Sequence, residues 1–226
     1  MVLKPDPWLG GFLGKDAWHL SVSDPVETSV PLPSATPCFV DVKVPVNEIV
    51  TANRMQAAGF RLIDTNIQLE RPSWPVARSR TARFALEPDR DAIERIAGSS
   101  FTTSRFHLDP EISKEAADAI KREWAGNFFA GARGTHMVVS QQGEEIAGFL
   151  QLIQQAETLV IDLIAVDARF RGKGLARDMI AFAENHIPGV ERLKVGTQAA
   201  NAQSLHAYVA NKFQFMTATY IFHFHG

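Results

Sequence analysis

The sequence predicts an α/β (α+β) protein: a mixed, mostly antiparallel sheet with helices on both faces, preceded by a small N-terminal β–α–β unit. Three observations carry this. Two amphipathic helical stretches after residue 84 lead into three closely spaced strands, and a β–α–β–α–β run then closes the chain. Residues 38–69 separately alternate strand, short helix and strand. With 226 residues, 46% of them hydrophobic and 21% charged, the chain can bury a substantial core without disulfides or metal.

The first element in order is a proline-rich start, Met1 to Pro37, expected to be irregular. Cys38 to Val46 (CFVDVKVPV) alternates as a strand, Asn47 to Ala58 reads as a short helix ending before Gly59, and Arg61 to Leu69 alternates again. Arg71 to Arg83 carries two prolines and four arginines without periodicity, so it reads as a connection between a 1–80 unit and an 81–226 domain. It is either a solvated linker or an edge for an anionic ligand.

Helices follow at Asp89 to Phe101 and within Pro110 to Gly131, where Ile112, Ala116, Ile120 and Trp124 recur at four-residue spacing. Met137–Ser140, Ile146–Ile153 and Leu159–Val166 read as strands joined by short turns. Then come a helix from Lys173 to His186, a strand at Leu193–Gly196, a helix at Ala202–Asn211 and a strongly alternating strand at Ala218–Phe224. A faint echo links Ala57–Leu69 to Ala210–Phe224, each reading helix, Phe, strand.

Charge and cysteine content narrow the function classes. The 23 basic and 25 acidic side chains leave a formal charge of −2, which argues against a nucleic-acid surface. No apolar run approaches the roughly 18 residues of a membrane helix, and the start lacks a signal-peptide core. One cysteine, Cys38, fits a reducing, cytoplasmic setting. Phenols are scarce: against 15 Phe and 4 Trp there are only Tyr208 and Tyr220.

The chemistry concentrates at Leu159 to Ala183. A buried strand runs into a basic turn, Arg171-Gly172-Lys173-Gly174-Leu175-Ala176, and then a helix. Glycines let a ligand approach the backbone, and the free N–H groups of a helix start attract anions, so the turn suits a pyrophosphate. It matches neither a Walker loop nor a dinucleotide fingerprint, and glycines here can also serve geometry alone.

Arg171-x-x-Gly174-x-Ala176 after the strand resembles the acyl-CoA pyrophosphate loop of the GCN5-related N-acetyltransferase (GNAT) family. Asn201, Ser204 and Tyr208 in NAQSLHAYVANKF are similar to a second element of that family and share one helix face. Ser104-Arg105-Phe106, Trp124 to Gly134, Val195 to Ala202 and Trp8 to Gly14 resemble the TDP-fucosamine acetyltransferase branch. One departure is Lys212, where the family carries glycine.

The resemblance implies the GNAT fold, acetyl-CoA as co-substrate without metal, and direct acetyl transfer to an amine. The acceptor implied by the branch is a nucleotide-linked amino-deoxysugar; another small amine, a protein N-terminus, or a non-catalytic acyl-CoA sensor are the alternatives. Ile164, Ala165 and Val166 would pair along the pantetheine, with Ile164 N–H polarising the carbonyl. Arg171 to Ala176 would hold the pyrophosphate, and Asn201 and Ser204 the cofactor arm. Tyr208 would protonate the departing thiolate, a phenol near pKa ~10 being reasonably matched to an alkyl thiolate.

For the base, Asp162 stands inside an apolar strand as either a proton relay or a structural aspartate satisfied by backbone; His206 and His136 are weaker candidates. Arg105 either meets a substrate diphosphate or is a surface arginine. His223-x-His225 puts two imidazoles on one strand face, but no nearby carboxylate or cysteine completes a metal site. The last strand either pairs with a second subunit, giving a homodimer, or lies inside the sheet.

Overall fold

Prolines at the N-terminus mark helix and strand ends rather than the absence of structure. In the computed structural model, which describes residues 1–22, 29–34, 36–74 and 81–226, the expected irregular start forms β1 (Val2–Pro5), α1 (Pro7–Leu13) and β2 (Asp16–Ser21). Pro7 sits in the first turn of α1, where its missing N–H is harmless, and Asp6 caps the helix by accepting from Leu9 N at 2.9 Å. Elements this short fall below the window in which periodicity can be read.

The remaining elements are β3 (Cys38–Pro45), α2 (Ile49–Ala57), β4 (Arg61–Pro72), β5 (Ala82–Phe84), α3 (Arg90–Ser100), α4 (Arg105–Leu108), α5 (Lys114–Gly126), β6 (His136–Gln142), β7 (Glu145–Gln155), β8 (Thr158–Val166), α6 (Leu175–His186), β9 (Arg192–Gln198), α7 (Ala202–Ala210) and β10 (Gln214–His225). They build one ten-stranded sheet in the order β1-β2-β3-β10-β4-β9-β8-β7-β6-β5. Pairs β2–β3 and β8–β9 are parallel; the others are antiparallel. The mixed, mostly antiparallel sheet agrees with the sequence.

β10 lies between β3 and β4, hydrogen-bonded to both. It therefore offers no free edge to a second subunit, and the internal alternative is the correct one. The front 80 residues share the sheet with the rest.

The stretch read as a connection needs a second correction. Residues 75–80 lie outside the described residues, but Arg71 at its start is no solvated charge. Its guanidinium is 4% exposed and pairs bidentately with Glu184 of α6, at 2.7 and 2.6 Å. Arg83 at its end pairs with Asp89 at 2.7 and 2.9 Å.

Helices cover both faces. On one, α6 packs Met179, Ile180 and Ala183 against Leu150, Leu152, Leu159 and Val195, and α2 packs Met55 against Val40, Val42 and Phe222. On the other, α3 sets Ile93 and Ile96 against Phe149, Leu163 and Ala165, while α1, α4 and α5 gather around Phe39 and Phe106.

One irregularity in β8 organises everything that follows. Leu152 pairs with Ile161, but Gln151 pairs with Leu163, so Asp162 is an extra residue with no partner in β7. Such a bulge reverses the alternation of the strand beyond it. Leu159 and Ile161 face α6, whereas Leu163 and Ala165 face α3. The bulge also coincides with the end of pairing to β9, which covers only Thr158 to Ile161. From Asp162 to Val166 the β9-facing side of β8 has no partner strand, and the sheet opens into a slot.

Candidate active site

A cavity of about 650 Å³ opens on the α6–α7 side of the slot, a size suited to a small-molecule ligand. Ile164, Ala165 and Val166 form one wall, and Asn201, Ser204 and Tyr208 of α7 form the opposite one. Its floor is the turn into α6, where Arg171, Gly172, Gly174, Leu175 and Ala176 all line the cavity. Eleven of the residues singled out for catalysis or cofactor binding therefore meet in one place, although they come from three elements.

The turn is shaped by its glycines. Gly172 and Gly174 both have φ of +78°, a region that L side chains rarely adopt, and Gly174 caps α6 from it. No atom lies within 4 Å of where a Cβ would stand at either position, so the backbone borders open space. Arg171 Nε donates to Val166 O at 3.1 Å, tying the turn back to β8. Lys173 does not line the cavity; its ammonium sits 5.1 Å from the centre of the Phe170 ring. Arg177 and the loop Ser100–Thr103 do line it, and sequence reasoning missed both. The α3–α4 loop carries no motif, and Arg177 reads as an ordinary helix-surface cation.

Asn201 caps α7, its Oδ1 accepting from Ser204 N at 3.1 Å. Tyr208 is 7% exposed and packs edge-on to Phe213, with ring centres 5.4 Å apart. Burial pushes its phenol well above the ordinary value, not near 10 as expected for a solvated side chain. Its hydroxyl hydrogen-bonds no described residue. The phenol is thus fully protonated at working pH, and an anion formed beside it is destabilised by the same apolar surroundings.

Asp162 points the other way, toward α5. Arg133 grips both of its oxygens at 2.7 Å, and Trp124 Nε1 donates to Oδ2 at 2.9 Å. The side chain is 8% exposed, and the Arg133 guanidinium stacks 4.3 Å from the Trp124 ring centre. Its partners are side chains rather than the backbone foreseen in the structural alternative. This geometry describes a clamp that holds the bulge, with its lone pairs already in use. His206 is exposed, and His136 lies on β6, away from the cavity.

Arg105, on α4, is no free surface arginine either. It donates to Asp41 of β3, whose other oxygen meets His19 Nδ1 at 3.0 Å. Burial raises Asp41, but the Arg105 charge and the His19 bond outweigh it and hold the carboxyl below the usual range. Nearby, Lys121 is buried beneath Phe101, Phe106 and Trp124, with ring centres 5.0, 5.9 and 4.5 Å from its ammonium. Burial first, then the charge of Arg105, push it down to about 7, against the opposing pull of Asp162. A lysine in an amphipathic helix gives no sequence signal of such burial.

The carboxylate missing beside His223 and His225 comes from 114 residues earlier. Asp109 Oδ2 meets His223 Nδ1 at 2.6 Å and His225 Nε2 at 2.8 Å. The three side chains bring ligand atoms within 4.8 Å of one another. Hydrogen bonding accounts for both distances.

Known proteins share this fold. The family model for the GNAT acetyltransferases matches residues 91–213, over half of the chain. The chain belongs to the GNAT acetyltransferase family. A curated relative, the spore coat polysaccharide biosynthesis protein SpsD of Bacillus subtilis, is 31% identical over 196 residues, covering 82% of this chain and 66% of its own. Among solved structures, a GCN5-related N-acetyltransferase from Sphaerobacter thermophilus superposes with TM-score 0.57 at 14% identity, over 85% of this chain and 61% of its own. A functionally unknown conserved protein from Staphylococcus epidermidis reaches 0.65 at 12% identity, over 83% and 73%. One from Kribbella flavida, also a GCN5-related N-acetyltransferase, reaches 0.59 at 10%, over 93% and 82%. At these identities the structures attest the fold. The chain spans slightly under two thirds of the length of SpsD and of the Sphaerobacter protein. Among the described residues, no helix of this GNAT protein is long and apolar enough to cross a membrane.

Proposed function

We propose that this GNAT protein transfers acetyl from acetyl-CoA directly to the amine of a nucleotide-linked amino-deoxysugar. The observation that carries the reading is the slot itself: a gap in the sheet with a glycine-lined anion cradle, an unpaired strand edge and a buried phenol on one side. The open space over Gly172 and Gly174 fits a pyrophosphate, and the unpaired edge of β8 fits an extended amide chain added like a strand. Acetyl-CoA supplies the activated thioester. The chain supplies the rest: Arg171, Gly172, Gly174, Leu175 and Ala176 hold the phosphates, Ile164 N–H polarises the carbonyl, and Asn201 and Ser204 orient the arm. Tyr208 gives its proton to the sulfur as the C–S bond breaks.

Two observations favour a sugar carried on a diphosphate. SpsD is named for polysaccharide biosynthesis. On the face opposite the cavity, Arg105 has a 21% exposed side chain, and the exposed Lys43 makes no hydrogen bond or ion pair with a described residue. These two cations support a diphosphate bound on that face.

The test is an acceptor panel with thiol release as readout, comparing nucleoside-diphosphate 4-amino and 3-amino hexoses with free amino sugars, amino acids and peptide N-termini. Turnover restricted to amino acids or peptides would remove the sugar reading. Because Arg105 also neutralises Asp41, the diphosphate contact is tested at Lys43. Lys43→Glu should raise KM for the nucleotide sugar about 10-fold and leave an unphosphorylated amino sugar unaffected; equal effects on both would exclude the contact.

A further inference from the structure

Resting on the acetyl-transfer reading, the face of the sheet opposite the cavity holds a carboxylate the mechanism has not used. Three carboxylates buried against α1, α4 and α5 are each held by cationic or imidazole partners. Asp162 has Arg133, Asp41 has Arg105 and His19, and Asp109 has His223 and His225. The fourth, Asp64 of β4, is 7% exposed, and its Oδ2 is buried without a hydrogen-bond partner. An orphaned carboxylate oxygen in an interior costs free energy and calls for an explanation.

Its position supplies one. Asp64 and Lys43 both pair with Ile221 of β10, from opposite sides, so the three side chains form a row across the sheet. Along β4, the next position on that face is Asn66, about 7 Å on, paired with Gln198 at the end of β9. That stretch of β9 is the one that β8 no longer accompanies. Asp64 thus stands two residues along β4, and across β9, from the slot, on the face of the sheet opposite the cavity. We propose that Asp64 receives the acceptor amine and takes its proton.

The step balances with the groups present. As the amine nitrogen bonds to the carbonyl carbon, its N–H proton passes to Asp64 Oδ2. As the C–S bond breaks, Tyr208 protonates the sulfur, and solvent then returns a proton to Tyr208 and removes one from Asp64. Asp64 is suited to accept a proton because burial raises it, against the backbone N–H of Thr65 and the charge of Arg105. Among the described residues, the charged and titratable groups on this side of the sheet include Arg105 on α4, Lys121 on α5 and Arg133 after it, Arg61 on β4, His223 on β10 with Asp109, and, beyond β10, Asp41 and Lys43 on β3.

Asp64→Asn keeps the shape and should lower kcat/KM for the acceptor about 100-fold or more, with acetyl-CoA binding and Tm retained. The wild-type kcat/KM should fall on the acid side as Asp64 protonates, and Asp64→Asn should lose that limb. Asp64→Glu should recover part of the rate together with the limb. Both readouts are taken on whichever amine the panel identifies. Wild-type turnover of a different amine unseats the sugar reading while still deciding Asp64. Full activity of Asp64→Asn with an intact acid limb on that same amine overturns the assignment.

Discussion

Residues 49–72 and 202–225 build the same unit twice and use it differently. Each is a helix, a residue with left-handed backbone, a phenylalanine and a long strand: α2, Gly59 at φ +90°, Phe60 and β4; then α7, Lys212 at φ +66°, Phe213 and β10. Phe60 N donates to Met55 O at 3.0 Å, and Phe213 N donates to Tyr208 O at 3.0 Å. The two strands pair with each other at the middle of the sheet. At equivalent positions five residues before the phenylalanine, Met55 is fully buried in the α2 core and Tyr208 borders the cavity. The backbone solution is shared, so the chemistry lies in one side chain and in what stands opposite it.

The largest expected effect falls on the inert copy. Met55→Ala should cost about 2–5 kcal/mol of stability, read as a lowered midpoint in urea, with kcat unchanged for the folded protein. A small loss would mean that α2 does not anchor the front of the sheet. Next, Tyr208→Phe should lower kcat 10-fold or more, equivalent to about 1.4 kcal/mol of barrier, with little change in acetyl-CoA affinity or Tm. Unaltered turnover removes the proton donor and makes the two helices equivalent after all.

The two turns should respond with opposite signs. Gly59→Ala places a Cβ 3.3 Å from Phe224 Cε2 in a left-handed conformation, for a cost of about 1–2 kcal/mol. Lys212→Gly should stabilise the protein by up to about 1 kcal/mol, seen as a rise in Tm. If Lys212→Gly destabilises instead, the lysine side chain contributes something the backbone argument omits.

The echo between these units was legible in the sequence because it rests on local signals: helix period, a turn, a phenylalanine and strand alternation. The proposed cofactor side was legible for the same reason, since Arg171–Ala176 and Asn201–Tyr208 are contiguous motifs whose spacing survives folding. The proposed acceptor side was not. Asp64 reads as one polar position in an alternating strand, Lys121 as helix surface, and Arg105 as a diphosphate contact or a surface arginine, with no sign of its bond to Asp41. Only the sheet order reveals that Asp41, Asp64 and Asp109 share a face and that one of them lacks a partner. Asp162 stood out by charge, but its clamp comes from Arg133, 29 residues before it, and no local pattern announces that pairing.

The extra residue in β8 has one more consequence. A sheet normally separates its two faces completely; here the partition is breached at one place, with the breach propped open by an aspartate–arginine brace. On the proposed reading, the donor enters past α6 and the acceptor from beneath α4, so neither needs the other to vacate. Direct transfer of that kind passes through a ternary complex, so initial-rate plots should give intersecting rather than parallel lines.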